Sequence, residues 1–90
     1  MQNKKQKTLI SFKKANSLLS KIIDMVKDDH YCMNIMQQNL AVIGLLRSAH
    51  EDLMENHLNT CFKKAMATKN TRRKKQMTEE ILKVTRLFNK

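Results

Sequence analysis

Two residues that bind soft metals stand four apart in this sequence, His57 and Cys61. On a helix that spacing puts both side chains on one face, one turn apart, as two ligands of a single ion require. Cys32 lies 29 residues before Cys61. Two thiolates and one imidazole form a soft donor set. Three such ligands suit copper(I), whereas zinc takes a fourth. The same residues also have an ordinary structural reading, with both cysteines as small buried hydrophobes and His57 as a polar helix residue. His30 and His50 read as a surface or capping residue and a packed or solvated one.

These side chains need helices to hold them. The chain has 90 residues, no proline and one glycine, Gly44. That composition predicts an all-α fold in a single domain over residues 1–90. Phe12, Ala15, Leu19, Ile22 and Val26 alternate three and four apart, one stripe on a first helix over about 6–28. Asp28 and Asp29 then interrupt the pattern, as acids at the positive end of a following helix dipole would. A long second helix is expected over about 30–68. Its stripe passes through Met36, Leu40, Ile43, then Leu46 or Arg47, His50, Met54, His57 and Cys61. Gly44 is tolerable inside it and could mark a close helix approach. Residues 69–76 read as a polar loop, and Thr78 as the N-cap of a third helix over about 77–88, with Glu79 and Glu80 in its first turn.

On one continuous helix, Cys32 and Cys61 would stand about 43 Å apart at about 1.5 Å per residue. One chain would then fail to close the site. Two antiparallel copies would close it, each lending Cys32 to the other's His57 and Cys61. A chain this short with helices this long also predicts self-association.

Charge is uneven. Residues 1–28 carry seven Lys against two Asp (+5), residues 29–61 one Arg against four acids (−3), and residues 62–90 ten Lys or Arg against two Glu (+8). Such basic ends favour nucleic acid or an anionic membrane. The N-terminal Met-Gln-Asn-Lys-Lys-Gln-Lys has no apolar signal-peptide core after it, and no apolar run is long enough to span a bilayer. A soluble, cytoplasmic protein is expected, with its cysteines as thiolates rather than a disulfide. No nucleophile with a base and orienter, and no phosphate-binding glycine loop, points to an enzyme.

At these residues the sequence resembles the CsoR/RcnR family of metal-sensing transcriptional repressors, copper(I)-sensing type. His30-Tyr31-Cys32-Met33-Asn34-Ile35-Met36-Gln37-Gln38 looks like the family's Tyr-Cys segment and Gln-rich turn. His57-Leu58-Asn59-Thr60-Cys61 looks like its His-Leu-x-x-Cys segment. The resemblance implies a three-helix protomer, an antiparallel dimer and usually a dimer of dimers. It implies a copper(I) site of Cys32 from one protomer with His57 and Cys61 from the other, with Tyr31 and Glu80 orienting the imidazole through its free nitrogen. For Glu80, dipole stabilisation in a first turn is the plain structural reading, and for Tyr31, packing at a helix end. Nickel and cobalt members use earlier histidines; here none precedes His30. Persulfide sensors lack the histidine present here as His57.

The resemblance further implies a repressor that holds double-stranded operator DNA without metal and is released by copper(I). Lys13, Lys14 and Lys21, with Lys4, Lys5 and Lys7 nearby, would face DNA. The family usually carries arginines where this chain has Ser11, Asn16 and Ser48, and glycine where it has Ser17. Two other functions stay open: a copper(I)-binding or buffering protein that no longer reads DNA, and a thiol or persulfide switch. Arg72-Arg73-Lys74-Lys75 either compensates for the missing arginines or forms a solvated loop.

Overall fold

The computed structural model describes residues 2–90, with side chains from Lys5 onward; the Lys4 side chain lies outside the described residues. The expected all-α fold holds, and no strand occurs among the described residues. The helices are α1 (Gln2–Lys27), α2 (Cys32–His57), a π-helical turn (Leu58–Phe62), α3 (Lys63–Ala67) and α4 (Thr71–Phe88). The fold divides into two compact units, Met1–Glu55 and Asn56–Lys90.

In the first unit, α1 ends in a defined motif. The Asp29 N–H donates to the Val26 carbonyl at 3.2 Å, and the His30 N–H to the Met25 carbonyl at 3.0 Å. This pair of bonds is the Schellman pattern, which needs a left-handed residue between the helix and its last donor. Asp29 supplies it with φ 54°. The sequence placed Asp28 and Asp29 at a helix start; instead they close α1, and the first turn of α2 holds no acid. Local hydrogen bonding outweighs the dipole preference here, because a short polar side chain tolerates the left-handed region that terminates the helix.

The core of this unit is Ala15, Ile22 and Val42, with Leu18, Ile35 and Leu45 packed against it. Met25 and Ala49 are also buried. The faces chosen differ from the stripes read in the sequence. On α1, Ala15, Leu18, Ile22 and Met25 turn inward, while Phe12, Leu19 and Val26 stay exposed. On α2 the inward face is Ile35, Val42, Leu45 and Ala49, and Met36, Leu40, Ile43 and Leu46 face water. Both helices are apolar over more than one face, so periodicity alone did not say which face meets the other helix. Gly44 marks no close approach within the protomer, since a Cβ there would meet nothing within 4 Å.

The second unit holds the end of α2, the π turn, α3 and α4. Ala65 on α3 is fully buried, and α3 contacts both the π turn and α4. The loop expected over 69–76 shrinks to Thr68–Asn70. Asn70, not Thr78, is the N-cap: its Oδ1 accepts the Arg73 N–H at 3.1 Å. The Thr78 hydroxyl lies inside α4 and donates to the Lys74 carbonyl at 2.9 Å. A run of four cations looked like loop, yet Arg and Lys are good helix formers and a capping Asn precedes them. Glu79 and Glu80 therefore sit in mid-helix, and the first-turn dipole role for Glu80 falls away.

Candidate metal centre

His57 is the last residue of α2 and is half-buried. Cys61 follows within the π turn, exposed and in no disulfide. The helical backbone is continuous through both residues, so they remain about a turn apart, but in a locally wider helix. π turns inside α-helices recur at functional sites because they re-aim side chains without breaking the helix.

One polar contact marks this turn. The Thr60 hydroxyl donates to the Asn56 carbonyl at 2.7 Å, from the residue just before Cys61 to the one just before His57. A hydroxyl bonded four residues back competes with the backbone ladder and bends helices. Thr60 was not singled out in the sequence, though a threonine inside a helix beside a candidate ligand was the available signal. After the turn, the Lys63 N–H donates to the Thr60 carbonyl.

In the first unit, Tyr31 and Cys32 open α2. The Tyr31 carbonyl accepts from Asn34 N–H at 3.0 Å and Ile35 N–H at 3.3 Å, which starts the helix. Tyr31 is 67% exposed, and Cys32 is an exposed free thiol. Glu80 is exposed on α4. Among the described residues, no group of three or more His, Cys, Asp or Glu side chains stands ready to hold a metal. The donors nevertheless have the chemistry of a soft-metal site: two free thiols and an imidazole, with no disulfide consuming them.

Lys13, Lys14 and Lys21 converge. They line one open groove of about 500 Å³ with Ser17, Leu18 and Leu45. Ser11 is half-buried, whereas Asn16 and Ser48 are exposed and uncharged. No helix among the described residues is long and apolar enough to cross a membrane.

Residues 4–87 match the family described as metal-sensitive transcriptional repressor. The chain is 38% identical over 66 residues to the copper-sensing transcriptional repressor CsoR of Mycobacterium ulcerans (strain Agy99), covering 73% of this chain and 56% of that protein. It is 36% identical over 63 residues to the protein of that name in Mycobacterium tuberculosis (strain ATCC 25618 / H37Rv), covering 70% and 53%. With the copper-sensing transcriptional repressor RicR of the same strain it shares 37% identity over 46 residues, covering 51% and 48%. The chain spans about half the length of these curated relatives.

Proposed function

This chain belongs to the metal-sensitive transcriptional repressor family, a class of regulators rather than enzymes, and we propose on that basis that it is a copper(I)-responsive repressor. It binds double-stranded DNA without metal and releases it when copper(I) binds between two chains, in the cytoplasm. The observation that carries the reading is the pairing of His57 and Cys61 about one helical turn apart, with Cys32, at the first residue of α2, also a free thiol.

Cys32 opens α2 and His57 closes it, and the two ends of a 26-residue helix do not meet on one ion. The third ligand therefore comes from a second chain: Cys32 of one protomer with His57 and Cys61 of its partner. Bound copper(I) supplies a cross-link between protomers through soft donors. Thr60 holds the turn that aims Cys61. Tyr31 and Glu80 are the partners proposed for the imidazole nitrogen that faces away from the ligand position, fixing its tautomer and orientation. Self-association is supported by the apolar side chains left in water, among them Leu40 at 66% and Val26 at 56% exposure. A dimer, or a dimer of dimers, covers them. Lys13, Lys14 and Lys21 are the proposed phosphate contacts on α1.

An anaerobic copper(I) titration with a DNA probe, on wild type and His57→Ala, tests this. The wild type should release DNA as copper binds. His57→Ala should still take metal through two thiolates yet keep hold of DNA, losing the coupling between the sites. A variant that releases DNA like wild type removes His57 from the mechanism.

The exposed, uncharged Asn16 and Ser48 favour a second reading, a copper(I)-binding protein on the same fold that does not read DNA. Tight copper binding with no salt-sensitive DNA complex in the metal-free chain would select it.

A further inference from the structure

The second unit carries ten Lys or Arg against Glu79 and Glu80, and most of that charge gathers around one turn. Lys63 and Lys64 lie on α3, Lys69 in the Thr68–Asn70 connection, and Arg72, Arg73 and Lys75 at the start of α4. All six are exposed, and α3 and α4 are in contact. None of the six has a carboxylate partner among the described residues. The first turn of α4 also contains no acid. Cations there face the positive end of the helix dipole and weaken the helix they belong to. The fold thus concentrates like charge where it opposes both its neighbours and the backbone.

We propose that this α3–α4 face is a second DNA-binding surface, gripping the phosphate backbone of duplex DNA alongside the α1 lysines; it rests on the DNA-binding reading above. Three observations favour that partner. Arg72 and Arg73 offer planar forks that match phosphate oxygens in pairs. A polyanion relieves the mutual repulsion of the six cations and releases its own counterions on binding. The face also lacks a membrane anchor, since no large apolar side chain is exposed between Leu58 and Leu82, and surface-lying helices need one. Charge absent at Ser11, Asn16 and Ser48 on the first unit is thereby replaced on the second, without sequence readout.

The test measures binding of the metal-free full chain to a fluorescent mixed-sequence duplex by anisotropy, between about 50 and 200 mM salt, where such slopes are well defined. Arg72→Ala/Arg73→Ala/Lys75→Ala is compared with wild type and with a charge-matched control, Lys27→Ala/Lys83→Ala/Lys90→Ala. Circular dichroism should show the first variant as helical as wild type, because it removes cations from a helix start. Its plot of log affinity against log salt should be shallower by about 2 to 3, near 0.9 for each phosphate that is no longer neutralised. The control should change the slope by less than about 1. Equal changes in the two variants, or an unchanged slope in the first, overturn the surface while leaving DNA binding intact. A wild type that binds no duplex at all overturns both the surface and the repressor reading. Capture by phosphatidylserine vesicles that disappears in the first variant while duplex affinity stays unchanged overturns DNA in favour of a lipid surface.

Discussion

The His30 N–H reaches back to the Met25 carbonyl at 3.0 Å, across an Asp29 held at φ 54°. That bond ends α1 and delivers the chain to Tyr31 and Cys32. Glycine at this position has no Cβ penalty, so Asp29→Gly should stabilise the protein by about 0.5–1 kcal/mol. Asp29→Val, a β-branched residue in the left-handed region, should cost about 1–2 kcal/mol. Urea unfolding of both variants checks the pair; a destabilised Asp29→Gly would mean that the carboxylate itself holds the turn.

Asp52 presents an opposite case. Its side chain is 14% exposed, and its Oδ1 lies 3.9 Å from the Nζ of Lys7, which is 71% exposed. Its Oδ2 is buried without a hydrogen-bond partner. A long pair with so exposed a partner contributes little, so Lys7→Ala should cost under about 1 kcal/mol. Asp52→Leu should be neutral or stabilising by about 1–2 kcal/mol, because it removes an uncompensated buried oxygen. Thermal melts of both variants at one protein concentration decide it.

Thr60 is expected to act on metal affinity more than on folding. Thr60→Val keeps the shape and removes the hydroxyl bonded to the Asn56 carbonyl. Losing a hydrogen bond made directly to a ligand weakens metal binding by about tenfold or more. Thr60 acts one step further out, through the backbone of the turn, so a loss of up to about tenfold is expected. Copper(I) competition against a chelator should show that loss with circular dichroism unchanged, and Thr60→Ser should restore most of it.

The cap of α4 gives a comparison within one helix. Asn70→Ala removes the acceptor of the Arg73 N–H and should cost about 1 kcal/mol. Thr78→Ala deletes a mid-helix hydroxyl and replaces a poor helix former with the best one, so it should be neutral or slightly stabilising. Paired urea titrations measure both; a larger loss at Thr78 would restore the cap to the position the sequence indicated.

The ligand candidates were legible because chemistry and spacing coincide: His57 and Cys61 are four apart wherever helix is continuous. The helix class was legible from composition. What failed were choices between near-equal alternatives. Leu18 and Leu19 both fit a stripe on α1, and only packing against the core of Ala15, Ile22 and Val42 selects Leu18. Asn70 and Thr78 both fit an N-cap, and the helix propensity of the intervening Arg and Lys residues favours the earlier one. The π turn had no sequence signal beyond Thr60, since an extra residue in a turn leaves the apolar period almost unchanged.

The outward faces of α1 and α2 bear on more than assembly. Phe12, Leu19, Ile23 and Val26, with Met36, Leu40 and Ile43, stay in water in the lone chain. Any surface that covers them binds the folded form alone, so by mass action it adds to folding stability in proportion to the logarithm of its concentration. If the covering surface is the second copy proposed above, dilution acts as a denaturant. In that proposed assembly a newly made copy without partners is the form most open to proteases, and the standing amount of folded protein follows how many copies are present to cover one another.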